Sequence, residues 1–501
     1  MPGVHKVAVS LCCYKRLAGG IILVPIEKVL FSVLDYLENE EEIMYQVNFN
    51  NPVHVHFMGI GGISMSGLAE ILLSRGFTVS GSDMKESPLT MHLINMGAIV
   101  KYGQVASNIT DDIDLMVYTA AISPDNPEFV ECKNRNIPML SRAELLGQLM
   151  KNYKMPVAVS GTHGKTTTTS MVSEILLAAD MDPTLSIGGI LKTIDGNLRI
   201  GHSDYFVTEA CEYTNSYLSF FPKVSIILNV EEDHLDFFKD IDDIRNSFNR
   251  FAKLLPEDCC LIINGDIDNI ETITDGVKAK IITFGHSSSY DYYPENISYN
   301  ARGAAKYELK SDNGDADVEL AVVGEHNVYN SLAAIALADV IGVERTVALK
   351  AVGGFTGTDR RFEEKGKLGN ITIIDDYAHH PTEIKATLTA AKNYPHDKLW
   401  VVFQPHTYTR TKAFLQEFAD ALSIADAVIL TDIYAAREKN TIGISSKDLL
   451  AKLEEKEKES YYFPSFDEIE NFILENCSNN DVLITMGAGD VVKIGEHLLG
   501  H

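Results

Sequence analysis

Short apolar runs alternate with longer helical patterns along most of this chain, and that alternation predicts an α/β protein built on parallel sheets. The first group of predicted strands comprises residues 53–58, 77–80 and 115–119, with a further strand near 138–140. A helical run that extends through Leu73 separates the first two strands. This stretch therefore predicts a first unit of βαβ type.

A second group of elements starts with an apolar run at 156–159, which a helical pattern follows. Further strands are predicted at 205–208 and 223–230. The polar stretch 289–318 predicts small strands and turns, and an alanine-rich helix then extends through Ala338.

A third α/β unit follows Gly357, with helical runs between its strands and a solvated Lys/Glu helix over 447–459. Its predicted strands are 371–374, 399–403, 427–430 and 482–485. A chain of 501 residues suggests roughly three domains of ordinary size. We place their boundaries at 44–150, 151–356 and 357–501.

Residues 1–43 fit this pattern poorly. They end in an acidic run at 38–42, and Met44 stands just before the first clear strand. We hypothesise an upstream start or a loosely attached extension, and a native mature chain that begins before Met44 would contradict this. The apolar run 17–26 is too short to span a membrane and lacks a small-residue cleavage site, so we expect a cytoplasmic protein without membrane insertion.

Composition narrows the function further. The net charge of −27 argues against nucleic acid as the main partner, although a nucleotide site needs only local positive charge. The seven cysteines show no C-x-x-C spacing, which predicts a reduced protein with neither a disulfide framework nor a zinc site. We expect a monomer or a homodimer.

A glycine-rich turn at 160–166 (SGTHGKT) follows the strand at 156–159 and opens a helix. Its backbone N–H groups and lysine suit phosphate oxygens, and the threonine hydroxyl suits a magnesium ion. Val159 stands where the full phosphate-loop motif has its first glycine, so a tight turn with a surface lysine is the alternative. We favour a nucleotide triphosphate site formed by Gly161, Thr162, His163, Gly164, Lys165, Thr166 and Thr167.

A second glycine-rich loop, at 59–64 (GIGGIS), follows the first predicted strand. Asp83 lies about 20 residues beyond it, as in dinucleotide-binding folds, but Ser64 replaces the third glycine of the fingerprint. NAD, a UDP-sugar and a merely structural turn all remain open on these residues. Thr119 ends the strand at 115–119, where open α/β sheets place their ligands.

Acidic clusters follow two strands of the second group. Glu209 and Glu212 come after 205–208, and residues 231–234, which include His234, come after 223–230. Carboxylates at strand ends beside a phosphate loop suit magnesium, and a histidine among acids suits a metal or a substrate. Helix caps or surface clusters are the alternative.

Polar residues also gather in the rest of the chain. Asn327 and Asn330 share one helix face and suit a base edge or a phosphate, with simple amide capping as the alternative. The strands of the third unit end in polar clusters at 375–380, 404–410 and 487–490. The paired histidines of the first cluster could bind a metal, but nothing nearby completes a zinc shell.

In their common order, these motifs resemble those of the Mur ligases from about Val53 to the C-terminus. The resemblance rests on residues 59–68, 161–168, 209–213, 233–236, 326–330, 360–363, 375–381 and 404–406. It implies a Rossmann-like N-terminal domain that binds a UDP substrate, a central phosphate-loop ATPase domain, and a C-terminal Rossmann-like α/β domain that takes the amino acid and closes over ATP.

The resemblance also implies an activity: ATP-dependent amide formation between L-alanine and the lactyl carboxylate of UDP-N-acetylmuramate, through an acyl phosphate, in peptidoglycan precursor synthesis. Lys165, with Mg²⁺ on Thr166 and Glu209, would neutralise the two anions that meet. His234 would contact a second magnesium or the substrate carboxylate.

Further residues receive roles from the same resemblance. Asn327 and Asn330 would hold the adenine, Arg361 and Asp375 would reach the phosphates and ribose, and Tyr377, His379 and Arg410 would surround the alanine, with Arg410 on its carboxylate. The UDP substrate would contact Gly59, Gly61, Gly62, Ser82, Asp83 and Thr119.

The chain departs from some relatives at three places. Residues 211–214 (CEYT) replace an Asp-Glu-Ser-Asp run, which leaves Glu209 as the expected ligand, and Thr407 replaces an arginine. Phe248 stands where other Mur ligases carry a carbamylated lysine, so we predict no carbamate.

Other functions remain to be weighed. A dehydrogenase would leave the phosphate loop without a task, and a nucleotide-binding module would bind ATP without turnover. A tripeptide-recycling homologue would share the whole architecture. Folylpolyglutamate synthetases share the central domain but lack the UDP-binding one, so residues 59–83 discriminate against them.

Overall fold

The computed structural model describes residues 13–17, 20–24, 45–119, 122–436 and 438–501. Strands β1 (Cys13–Leu17) and β2 (Gly20–Val24) form an antiparallel hairpin. The rest of the predicted 1–43 extension lies outside the described residues. Within the described part of the chain, no helix is both long and apolar enough to cross a membrane.

The N-terminal domain carries a five-stranded parallel sheet in the order β5-β4-β3-β6-β7. From β3 the chain adds β4 and β5 on one side of the sheet and then β6 and β7 on the other side. The glycine loop after β3 therefore lies at a topological switch point. The strands are β3 (His54–Met58), β4 (Thr78–Asp83), β5 (Ile99–Tyr102), β6 (Leu115–Tyr118) and β7 (Met139–Ser141). The helices are α1 (Ile63–Ser74), α2 (Pro88–Asn95), α3 (Pro127–Asn134) and α4 (Arg142–Met150).

The middle domain carries a ten-stranded sheet in the order β10-β9-β11-β8-β12-β13-β14-β15-β16-β17. Its central strands are parallel, and the last three form antiparallel pairs. The strands are β8 (Met155–Ser160), β9 (Thr184–Leu191), β10 (Gly196–Arg199), β11 (Tyr205–Glu209), β12 (Val224–Ile227), β13 (Cys260–Asn264), β14 (Lys280–Phe284), β15 (Tyr292–Tyr299), β16 (Ala304–Ser311) and β17 (Ala316–Val323). The helices are α5 (Lys165–Ala178), α6 (Ile241–Ala252), α7 (Ile270–Thr274), α8 (His326–Val340) and α9 (Arg345–Gly354).

The C-terminal domain carries a six-stranded sheet in the order β18-β19-β23-β20-β21-β22, with only β18 antiparallel to its neighbour. The strands are β18 (Glu363–Leu368), β19 (Ile371–Asp376), β20 (Leu399–Phe403), β21 (Ala427–Leu430), β22 (Ser460–Tyr462) and β23 (Val482–Met486). The helices are α10 (Pro381–Ala391), α11 (Tyr408–Ala413), α12 (Leu415–Leu422), α13 (Ser446–Glu455), α14 (Phe466–Asn476) and α15 (Val492–Leu498).

The central strands are buried on both faces, which explains why their sequences read as continuous apolar runs. Strands β20 and β23 are buried at every position. The strand β5 was not predicted, because this edge strand exposes Ile99 and Tyr102 and offers no buried run. The predicted helix over 447–459 is shorter than expected: α13 ends at Glu455 and the chain then enters β22.

Candidate active site

The glycine turn after β8 is shaped by two left-handed glycines and by one asparagine. Gly161 has a φ of 142° and Gly164, which caps α5, has a φ of 83°, conformations that favour glycine. Asn229 accepts a hydrogen bond from the His163 N–H at 2.7 Å and donates one to the His163 carbonyl at 3.0 Å. The amide thereby holds the turn open at the N-terminus of α5.

Lys165, the first residue of α5, turns back over this loop. Its Nζ donates to the carbonyls of Gly161 and Thr162 and lies 3.1 Å from Glu212 Oε2. Burial opposes its charge, yet the Glu212 carboxylate holds the pKa of Lys165 above its usual range. The ammonium is therefore charged and held where phosphate oxygens would meet the loop.

Two oxygen donors predicted for a metal lie beside consecutive glycines of β9. Glu209, at the end of β11, accepts the Gly188 N–H at 2.6 Å. A Cβ at Gly188 would lie 2.6 Å from the Glu209 carboxylate, and one at Gly189 would lie 3.1 Å from the Thr166 methyl. The two glycines therefore leave room beside both donors, whose hard oxygens suit Mg²⁺.

A cavity of about 590 Å³ opens between the middle and C-terminal domains beside the loop. Asn327 and Asn330 line it, and Asn330 Nδ2 donates to the side-chain oxygen Oδ1 of Asn327 at 3.0 Å. Phe284 and Leu228 add apolar walls, and Arg361 enters from the C-terminal domain. This combination of apolar walls and a few polar groups is typical of a nucleotide or cofactor cavity.

Arg361 connects the two domains at the helix start. Its Nη2 lies 3.5 Å from the Thr166 hydroxyl, and its guanidinium lies 5.0 Å from the Tyr377 ring centroid. The Arg360 guanidinium also lies 5.0 Å from that centroid. Two arginines therefore contact the Tyr377 ring.

His163 forms an ionic contact across the same interface. Its Nδ1 lies 3.2 Å from Glu383 on α10, and its Nε2 lies 3.5 Å from Glu231 of the middle domain. Burial disfavours the imidazolium, but the two carboxylates raise the pKa of His163 to about 9. The histidine of the loop is therefore a second cation at neutral pH.

The N-terminus of α10 in the C-terminal domain makes further contacts with the segment that follows β12 in the middle domain. The Thr382 hydroxyl donates to Glu231 at 2.6 Å, and His380 Nε2 lies 3.0 Å from the Glu232 carbonyl. These bonds hold the cavity closed on one side.

A second cavity of about 360 Å³ lies between residues 233–236 and the start of α11. Arg410 donates to Asp233 Oδ1 through Nε at 3.0 Å and Nη2 at 2.8 Å, and both side chains are buried. Although burial favours the neutral acid, Arg410 and His234 hold the pKa of Asp233 well below its usual range. The predicted contact of Arg410 with an amino-acid carboxylate stays a prediction, and here Asp233 takes that place.

His234 and His379 flank this cavity and its neighbourhood. His234 has a left-handed φ of 53°, and its ring packs against Tyr213 with centroids 4.5 Å apart. His379 Nδ1 lies 3.0 Å from the Tyr377 carbonyl, and its ring lies 5.7 Å from that of His406. Burial lowers the pKa of His379 to about 3, so its imidazole is neutral at neutral pH.

Asp375 does not line either cavity. Its carboxylate is fully buried, 2.9 Å from Arg360 Nε and 2.7 Å from the Thr485 hydroxyl. The neighbouring Asp376 lines the larger cavity instead. A contact of Asp375 with phosphates or ribose stays a prediction and would require these bonds to break.

The predicted UDP-substrate residues form a separate cluster in the N-terminal domain. The Gly61 N–H donates to Asp83 Oδ2 at 2.8 Å, and the Gly59 N–H donates to the Ser82 carbonyl at 2.9 Å. A Cβ at Gly59 would lie 3.2 Å from the Thr119 methyl. The Gly62 N–H donates to the Gly59 carbonyl at 3.2 Å and so closes the turn. The described residues that line the two cavities include none of these.

Three family models match successive parts of the chain: "Mur ligase family, catalytic domain" over residues 54–154, "Mur ligase middle domain" over 159–338, and "Mur ligase, glutamate ligase domain" over 360–489. A curated UDP-N-acetylmuramate–L-alanine ligase of Agathobacter rectalis is 62% identical over 457 residues, which are 91% of this chain and 100% of that protein. The chain belongs to the Mur ligase family.

Other relatives agree. The ligase of the same name from Lachnoclostridium phytofermentans is 55% identical over 91% of this chain and 100% of its own length. The solved UDP-N-acetylmuramate–alanine ligase of Thermotoga maritima matches at a TM-score of 0.74 and 31% identity, over 89% of this chain and 98% of that one. A murein peptide ligase of Psychrobacter arcticus matches at a TM-score of 0.65 and 26% identity, over 89% and 98%. The three-domain α/β architecture expected of a Mur ligase is confirmed.

Several site residues of this Mur ligase were not predicted from the sequence. Glu383 and Glu231 flank His163, Asp233 pairs with Arg410, and Asn229 holds the loop. Asp233 and Glu231 stand in the acidic cluster after 223–230 and were visible only as members of it. Glu383 lies on a helix, where a single acidic residue does not by itself indicate a functional site.

Proposed function

We propose that this Mur ligase uses ATP to join L-alanine to the lactyl carboxylate of UDP-N-acetylmuramate in peptidoglycan precursor synthesis. The observation that carries the proposal is the 62% identity to a protein of that activity over its entire length. The phosphate loop, the carboxylates behind it and the cavity between the middle and C-terminal domains support the same reaction.

The residues present fit ATP and Mg²⁺. A Cβ at Gly164 would lie 2.7 Å from Asn330 Oδ1, and the φ of 83° there also favours glycine, so the turn that presents the helix N-terminus to a phosphate requires glycine at this position. Thr166 and Glu209 would hold Mg²⁺ through hard oxygens, with His234 at a second ion or at the substrate carboxylate. When bound, Mg²⁺ would act as a Lewis acid on the transferred phosphoryl group.

The chain's own groups then perform three tasks. Lys165 and the charged His163 offset the negative charge that accumulates when a carboxylate approaches the γ-phosphate to form an acyl phosphate. Asn327 and Asn330 bind the adenine, and Arg361 and Asp375 reach the phosphates and ribose. The roles of Asn327, Asn330 and Arg361 follow from the resemblance and from their positions in the lining of the larger cavity. The role of Asp375 rests on the resemblance alone and requires its bonds to Arg360 and Thr485 to break.

The second cavity is proposed to receive alanine. Arg410 binds its carboxylate, with Tyr377 and His379 beside the amine. The neutral His379 imidazole, whose Nδ1 lies 3.0 Å from the Tyr377 carbonyl, can accept a hydrogen bond from the amine through Nε2. The N-terminal domain holds the UDP group with Gly59, Gly61, Gly62, Ser82, Asp83 and Thr119.

We also propose the domain boundaries 44–150, 151–356 and 357–501, a cytoplasmic location, and a monomeric or homodimeric enzyme. Light scattering behind size exclusion distinguishes the two oligomeric states.

A coupled ADP-release assay across the twenty amino acids tests the proposed reaction. ADP should appear only when UDP-N-acetylmuramate and L-alanine are both present. Release with an L-alanyl tripeptide instead of alanine would indicate a murein peptide ligase, and ATP binding without turnover would leave a binding module.

A further inference from the structure

Three side chains with different donor atoms meet beside Lys165. The Cys211 Sγ, a Glu212 carboxylate oxygen and a His234 ring nitrogen all lie within 4.8 Å of one another. Glu212 is 3% exposed, and His234 Nε2 lies 3.7 Å from its Oε1. Both strand ends were predicted to lie beside the glycine turn, but Cys211 was not identified as a donor and no zinc site was expected.

The backbone holds the first two donors in place. Ala210 stands between Glu209 and Cys211, and its N–H donates to the Val159 carbonyl at 2.8 Å. Its carbonyl accepts from the Ser160 hydroxyl at 2.8 Å, which extends the pairing of β11 with β8. The residue that leads into Cys211 and Glu212 is therefore bonded to the end of β8, directly before the glycine turn.

The third donor is oriented by its neighbours. The left-handed backbone of His234 turns the side chain toward Glu212, and the Tyr213 ring lies against the imidazole with planes 30° apart. Glu212 Oε2 lies 3.1 Å and Oε1 3.4 Å from Lys165 Nζ, and Oε1 also lies 3.7 Å from His234 Nε2. One carboxylate oxygen therefore lies between the lysine and the histidine of the cluster.

The donor set differs in chemistry from the Thr166 and Glu209 oxygens. Mg²⁺ is a hard cation that prefers oxygen ligands, whereas sulfur, imidazole and carboxylate together suit Zn²⁺ or Co²⁺. Sites with three protein donors and one open position are the usual arrangement for reactive zinc.

We propose that Cys211, Glu212 and His234 form a binding site for a thiophilic divalent cation such as Zn²⁺, open on the side of the second cavity. Binding forms a metal–sulfur bond and releases the thiol proton to solvent. The ion would lie next to the Lys165 ammonium, which pairs with the same Glu212 carboxylate. Its positive charge would repel that ammonium and a Mg²⁺ ion at Glu209, and it would compete with Lys165 for Glu212. This inhibitory consequence rests on the proposed function, but the binding itself does not.

The test is a Co²⁺ titration of the full-length apoprotein, followed by the thiolate-to-cobalt charge-transfer absorption. We expect a band that saturates, that Zn²⁺ displaces and that excess Mg²⁺ leaves unchanged. The variant Cys211→Ser should remove the band and weaken Zn²⁺ binding at least tenfold, whereas Cys477→Ser, a half-buried cysteine of the C-terminal domain, should change neither.

His234→Asn should keep a sulfur ligand but weaken Co²⁺ binding by roughly tenfold, and unchanged thermal unfolding of all three variants shows that they fold. The absence of a band in the native protein, or its persistence in Cys211→Ser, would overturn the proposal. Because the readout is optical and uses the metal alone, it stands or fails independently of ligase activity.

Discussion

Lys165 is the residue on which the proposed phosphoryl transfer most depends. Its ammonium donates to two loop carbonyls and forms an ion pair with Glu212. These partners keep Lys165 protonated and in place before a phosphate binds. Such preorganised charges usually contribute most to stabilising a developing anion.

We predict that Lys165→Ala lowers turnover by about 10³-fold, because the charge that steadies the transferred group is lost. Binding of UDP-N-acetylmuramate should survive, since its predicted residues lie in another domain. Steady-state kinetics and calorimetry measure the two effects. Lys154→Ala, an exposed lysine before β8, is the control, and full activity of Lys165→Ala would show that the loop has been misassigned.

His163 makes a pH-dependent contribution to stability. Its pKa is raised from 6.5 to about 9 in the folded chain, so its stabilisation is complete below pH 6.5 and is lost as pH rises through 9. We predict that the free energy of unfolding falls by up to about 3 kcal/mol over this window.

Urea unfolding at a series of pH values measures this loss. His163→Gln should remove the pH-dependent part, whereas His286→Gln, an exposed histidine, should retain it. An identical pH profile for native protein and His163→Gln would contradict the assignment of the charge.

The region around the glycine turn shows why polar residues at strand ends could be predicted as site residues from the sequence. Strands β8, β11 and β12 are parallel neighbours, so their carboxyl ends meet at one sheet edge. The acidic clusters that follow β11 and β12 are therefore brought to the loop by topology alone. A pattern reading of single strands is sufficient for this part of the site.

The glycine pair of β9 was not predicted, because its function lies in the lack of a side chain. We predict that Gly188→Ala displaces the Glu209 carboxylate, since the new Cβ would lie 2.6 Å from it. The Mg²⁺ concentration for half-maximal activity should rise about tenfold, with little change in the unfolding midpoint.

Gly196→Ala is the matched control, because a Cβ there meets nothing closer than 3.8 Å. An unchanged Mg²⁺ requirement in Gly188→Ala would indicate that Glu209 is not a metal ligand.

The backbone conformations of the turns around the second cavity could also not be predicted from the sequence. His234, Thr407 and Ala436 all line it with φ values of 53°, 65° and 50°, a region that side chains other than glycine rarely adopt. No local composition signal distinguishes these residues, and only the surrounding packing holds them there.

At the scale of the whole molecule, the middle and C-terminal domains are joined by the ion pair of Asp233 and Arg410. We predict that Asp233→Asn weakens their docking by about 3 kcal/mol, because it leaves a buried arginine without its counter-charge. The radius of gyration from small-angle scattering should increase.

The double variant Asp233→Leu with Arg410→Met should restore the compact form but not the ligase activity, since paired apolar groups can replace a buried ion pair. Asp204→Asn, which breaks an exposed ion pair, is the control. A compact Asp233→Asn protein would show that other contacts hold the domains together.

The sequence by itself determined the order of the three α/β units and the glycine turn at 160–166 with the carboxylates near it, because periodicity and short motifs are local properties. The phosphate-binding role of that turn stays a prediction. Tertiary structure alone decided which charges meet. Asp233 and Arg410 stand 177 residues apart, and Asp375 turned inward to Arg360. Such pairings depend on how separate sheets pack against each other, and the residues adjacent in the sequence give no information about that packing.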